Sequence, residues 1–120
     1  MSRFPLRSLA AAIAVLIAPA CAAHATPPSA RAAASIERGR ETAESHCSRC
    51  HAIGPTGESP HPMAPPFRTL SQRYPVTDLA EAFAEGIHVG NPDMPEFQFP
   101  PSQIDDLVNY LQSVQEPSHH

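Results

Sequence analysis

Proline placement constrains this chain more than any other feature. Of 15 prolines in 120 residues, five fall in residues 54–66 and four in residues 90–101. Proline fixes φ and donates no backbone hydrogen bond, so neither stretch can continue as helix interior or central strand. Regular structure is confined to the short windows between them.

Within those windows the apolar period is helical. Ile36, Gly39, Ala43 and Cys47 recur at three- and four-residue steps, with Glu37, Arg40, Glu41 and Glu44 on the other faces, which predicts an amphipathic helix with order beginning near Ser35. Residues 67–74 read as a connecting helical turn stopped by Pro75. Thr77 is a candidate N-cap with Asp78 in the first turn, Leu79, Phe83 and Ile87 share a face, and Gly86 ends that helix. Ser102 is expected to cap the last helix, with Asp105 as a short capping-box partner. Its apolar stripe is Ile104, Leu107, Val108, Leu111 and Val114. No segment alternates at period two, so the fold class is all-α, about four short helices joined by long Pro-rich loops.

Such a chain is short of core. It has seven aromatic residues in all and no tryptophan, and a domain below about 100 residues leaves a large share of its surface in water. Something bulky is needed to complete the interior.

The sequence Cys47-Ser48-Arg49-Cys50-His51 supplies an answer, because it has the pattern of covalent c-type haem attachment. The two thiols lie one helical turn apart, so each can form a thioether to one vinyl of the same porphyrin while the following histidine reaches the iron. Three other readings fit less well. A thioredoxin-like redox pair belongs on a βαβ framework, a two-pair zinc ribbon needs four cysteines where this chain has three, and a Cys47–Cys50 disulfide would close almost no loop.

Gly39 eight residues before Cys47, the Cys47–His51 motif, Met94 followed by Pro95, and a C-terminal helix carrying Tyr110 resemble a class I monohaem cytochrome c, over residues 35–115. The resemblance implies a cytochrome c-like fold around one covalently attached haem c, with Cys47 and Cys50 as attachment points. It also implies that the first and last helices cross where Gly39 lets Tyr110 approach, and that the iron takes His51 and a downstream methionine as axial ligands. Met94 is the candidate, since it lies past two helices and between Pro92 and Pro95, whereas Met63 sits in the loop close after His51. His61 and His88 are read as loop histidines rather than a bis-histidine pair. Phe67, Leu70, Leu79, Phe83, Ile87, Phe97 and Phe99 are read as haem-pocket and core residues. A proline carbonyl is expected to support His51, with Pro55 and Pro65 both open.

The resemblance implies a single-haem electron carrier rather than an enzyme, since two axial ligands leave the iron no open position. Two alternatives stay open: a haem sensor or weak peroxidase with an exchangeable sixth ligand, or an electron-relay subunit of a larger periplasmic oxidoreductase.

Arg3 and Arg7, the apolar run of residues 9–18 and the small-residue stretch ending in Ala25 read as a Sec-type signal peptide over residues 1–25, with delivery to the periplasm. A lipid anchor at Cys21 is the minor alternative. The apolar run is about half the length needed to span a bilayer, so no permanent membrane span is expected. Residues 26–34 read as a disordered tether, 35–116 as the cytochrome c domain and 117–120 as a disordered tail. Every basic residue is arginine, and eight of them face twelve acids, which argues against nucleic acid as a partner. Cleavage after Ala25 would leave six arginines against the same twelve acids, a formal charge of 6 − 12 = −6. A monomer is expected, with a redox donor and acceptor that present a basic or apolar docking patch.

Overall fold

A computed structural model describes residues 26–86 and 91–117. Residues 1–25, with Cys21 and the expected signal peptide, lie outside the described residues, as do Ile87, His88 and residues 118–120. Three α-helices and two 3₁₀ segments make up the described residues, with no strand among them.

Helix α1 spans Pro28–His46, 3₁₀ segments cover Phe67–Gln72 and Val76–Asp78, α2 spans Leu79–Glu85 and α3 spans Pro101–Ser113. Helix α1 starts earlier than the expected onset near Ser35, so residues 28–34 are helical rather than a structureless tether. The cause is local. Pro28 stands in the first turn with its φ already helical, and four of the next six residues are alanine, the strongest helix former. Residues 28–34 are nevertheless fully on the surface.

Two capping expectations are corrected. Ser102 lies inside α3, whose N-cap position is Pro100 and whose first residue is Pro101, so neither Ser102 nor Asp105 forms a capping box. Pro101 starts the helix two residues sooner than a Ser102 cap would, because it has no N–H to leave unsatisfied. Thr77 lies inside a 3₁₀ segment, and α2 begins at Leu79 without a side-chain cap. The segment expected as helix over residues 67–74 is a 3₁₀ helix ending at Gln72. Gly86 does end α2, at a φ of 95° that a side chain would strain.

The core is centred on the crossing of α1 and α3. Ile104, Leu107, Val108, Tyr110 and Leu111 are buried on α3, with Val114 packed partly against them. Gly39 is buried on α1, and a Cβ placed there would fall 2.0 Å from the Asp106 carbonyl oxygen and 2.7 Å from the Tyr110 Cβ. The crossing is therefore closer than any side chain at position 39 allows. Beside it, the Asp106 carboxylate accepts from Arg38 Nε at 2.7 Å and from Ser35 Oγ at 2.6 Å. These contacts, the Arg38 guanidinium foremost, hold the Asp106 carboxyl below its ordinary pKa.

Two further ties fix the loops to this pair of helices. Tyr110 Oη donates to the Ile53 carbonyl at 2.9 Å, anchoring the chain just after the Cys47–His51 motif. Gln115 Nε2 donates to the Phe67 carbonyl and its Oε1 accepts the Ser71 N–H, both at 2.8 Å, so the C-terminal segment clips the first 3₁₀ helix.

Candidate haem site

The chain continues past α1 in one more tight turn. Cys47 N–H donates to the Ala43 carbonyl at 2.9 Å, and the Cys47 carbonyl in turn accepts Cys50 N–H at 3.1 Å and His51 N–H at 2.9 Å. This winding brings both thiols and the imidazole to the wall of one cavity of about 320 Å³. That size falls within the range of about 300–1,000 Å³ typical of cofactor and ligand sites.

The irregular loop that follows is shaped by hydrogen bonds rather than by period. His61 N–H donates to the Cys50 carbonyl at 3.1 Å, Phe67 N–H to the Ala52 carbonyl at 2.9 Å, and Ala52 N–H to Ser59 Oγ at 3.0 Å. The loop is thereby folded back on the motif, and it delivers the Pro65 carbonyl to His51 Nδ1 at 2.8 Å. Of the two prolines left open by the sequence, Pro65 is the partner. Because a carbonyl only accepts, Nδ1 carries the proton, and Nε2 is left as the free lone pair. The His51 ring also rests on Phe67, with centroids 5.2 Å apart.

Cys47 and Cys50 are both free thiols. Burial, with a smaller contribution from the neighbouring Cys50, raises the Cys47 pKa to about 11. A thiol held protonated in this way is the reverse of the activated cysteine in a disulfide oxidoreductase. No group of three or more His, Cys, Asp or Glu residues suited to a metal ion occurs among the described residues.

Met94 lines the same cavity. It sits on a turn closed by its own N–H donating to the Asn91 carbonyl at 3.1 Å, while Asn91 Oδ1 accepts Asp93 N–H at 3.0 Å. Its side chain is partly buried and packs on the core. Met63 also reaches the cavity but is 71% exposed. Phe67, Leu70, Leu79, Phe83 and Phe97 supply the apolar lining, whereas Phe99 lies behind it, stacked on Phe97 at 5.7 Å.

Several contributors were not legible beforehand. Arg73 lines the cavity and has no side-chain partner among the described residues, and Leu111 of α3 closes part of the wall. The His46 ring meets Phe97 and Phe99 edge-on at 5.8 and 5.3 Å. Periodicity places Leu111 on the buried stripe of α3, but it does not report which of these side chains meet at the cavity, because that depends on how the loops close. A larger groove of about 850 Å³ lies along α1 and the start of α3, but Arg38, Glu41, Gln103 and Asp106 make it polar and open, and it contains no cysteine.

The residues in the cavity therefore fit a haem: two free thiols one turn apart, an imidazole oriented through Nδ1, and an apolar lining. The cytochrome c family profile matches residues 36–115. The chain belongs to the cytochrome c family. A "cytochrome c-553-like" protein of Synechocystis sp. is 30% identical over 78 residues, which are 65% of this chain and 68% of that protein. No solved structure matches significantly. Membership carries covalently bound haem c with it, and makes this cytochrome a haem-based electron carrier that works between redox partners. Among the described residues no helix is long and apolar enough to cross a membrane.

Proposed function

We propose that this cytochrome is a periplasmic one-electron carrier in which Cys47 and Cys50 hold the haem through thioethers and His51 and Met94 are its axial iron ligands. The observation that carries the reading is the convergence of four side chains, Cys47, Cys50, His51 and Met94, on one apolar cavity. Haem c supplies a one-electron couple at its iron.

The protein's own residues do the rest. The Pro65 carbonyl keeps the His51 proton on Nδ1 and the ring in one orientation, which raises the basicity of Nε2. Pro92, Pro95 and the Asn91 turn restrict the backbone around Met94, so little conformational freedom remains to be lost when its sulfur is held. Phe67, Leu70, Phe83 and Phe97 exclude water and lower the local dielectric. Arg73 is the arginine of the cavity wall and suits the carboxylates that a haem carries. With both axial positions filled, oxygen and small substrates have no place to bind, which separates a carrier from a sensor or peroxidase.

Denaturing extraction tests the attachment. In the intact protein the haem stays with the polypeptide, and in a Cys47→Ser, Cys50→Ser double variant it leaves with the solvent. Extraction of haem from the intact protein would contradict thioether attachment.

Residues 1–25 direct export, with cleavage after Ala25 and the Cys21 anchor as the lesser route. The formal charge of −6 that remains favours a basic or apolar patch on the partner. The rate of electron transfer to a basic partner is expected to fall steeply between low and physiological salt, as the screening length shrinks from about 30 Å to about 8 Å. A rate independent of salt would remove electrostatic steering and leave apolar docking.

A further inference from the structure

The cavity has two loop walls, residues 52–66 on the His51 side and residues 91–97 on the Met94 side, and a side-chain pair connects them. His61 Nε2 lies 3.4 Å from Asp93 Oδ2, and both residues line the cavity. Among the described residues no other side-chain hydrogen bond or ion pair joins these two loops.

The other end of the His61 ring decides what it offers. Met63 N–H donates to His61 Nδ1 at 3.2 Å, so Nδ1 is an acceptor and the proton of the neutral imidazole is on Nε2, the nitrogen that faces Asp93. The contact therefore does not need a charged histidine. His61 is also tied down through its backbone N–H to the Cys50 carbonyl at 3.1 Å, inside the attachment motif. Asp93 is held by Asn91 Oδ1 on its backbone N–H, in the turn that ends at Met94. A line of contacts thus runs from the Cys50 backbone through His61 and Asp93 to the turn that carries Met94.

We propose that His61 and Asp93 are positioning residues: they clasp the two loops across the cavity mouth and bias the Met94 turn toward the closed arrangement. This rests on Met94 as the sixth ligand. The pair is long for a hydrogen bond, and its side chains are 29% and 70% exposed. Its effect on the open fraction is therefore about two- to fivefold, the scale of a weak, solvent-exposed polar contact.

An added ligand that competes with Met94 reads the open fraction directly, because its apparent affinity scales with that fraction. The experiment measures imidazole binding to the oxidised, haem-loaded protein and to its variants. His61→Ala and Asp93→Ala each raise the apparent affinity about two- to fivefold. His61→Gln and Asp93→Asn, which keep a donor and an acceptor, stay near the parent. The double alanine variant binds no more tightly than either single variant, because one contact can be removed only once. Additive effects in the double variant, or affinities unchanged in the singles, overturn the clasp. Met94→Ala separates the two readings. If it raises imidazole affinity far more than any other variant and the alanine singles do not move, the ligand stands and the clasp falls. If Met94→Ala leaves affinity unchanged, the ligand assignment falls and the clasp with it.

Discussion

Gly39→Ala destabilises the protein by about 2–3 kcal/mol, although the same change on an open helix face would stabilise it by about 1 kcal/mol. The added Cβ would sit 2.0 Å from the Asp106 carbonyl oxygen and 2.6 Å from its carbonyl carbon, and both are backbone atoms of α3 that no rotamer change can move. Relief requires α1 and α3 to separate. Separation would strain the Tyr110 Oη bond to Ile53 and the Asp106 contacts to Arg38 and Ser35. For a domain of this size the loss corresponds to roughly 10–20 °C in Tm. Gly54→Ala is the matched control, since nothing lies within 4 Å of a Cβ at that position. Denaturant unfolding of the haem-loaded variants measures both, and a Gly39→Ala protein as stable as its Gly54→Ala counterpart would show that the helices do not cross this closely.

Met94→Ala converts a protein whose reduced form ignores carbon monoxide into one that binds it to saturation, and lowers its reduction potential. Removing the sulfur leaves the iron one strong protein ligand and a position held only by an exchangeable ligand that carbon monoxide can displace. The potential falls because a methionine sulfur favours the ferrous state relative to the water or nitrogen ligand that replaces it. Met63→Ala changes neither property, because Met63 is 71% exposed and belongs to the loop that supports His51. Carbon monoxide titration of the two reduced variants distinguishes them. Binding that appears with Met63→Ala and not with Met94→Ala would exchange their roles.

What could be read beforehand is what local pattern encodes. The α3 stripe from Ile104 to Leu111 is buried because its spacing matches one helical face. Gly39 opposite Tyr110 could be anticipated because a mid-helix glycine needs a reason, and the crossing provides it. The Cys47–His51 motif carries its chemistry in its spacing. The remainder depends on closure of the chain in space. Pro65 rather than Pro55 supports His51 because Phe67 N–H and His61 N–H fold the loop back onto Ala52 and Cys50, and no local residue preference reports such long-range bonds. The early start of α1 and the displaced start of α3 were legible in kind but not in position, since proline at a first turn competes with the serine and threonine caps that pattern reading favours. The His61–Asp93 contact joins two loops that show no period at all.

The most direct test of His51 and Met94 as the paired ligands is absorption spectroscopy of the full-length, haem-loaded protein, oxidised and dithionite-reduced, with and without carbon monoxide. With His51 and Met94 on the iron, reduction gives a sharp low-spin c-type spectrum, oxidation a weak long-wavelength sulfur-to-iron band, and carbon monoxide no change. High-spin features, absence of the sulfur band, or a shift with carbon monoxide would contradict this ligation and place an open or exchangeable position at the iron.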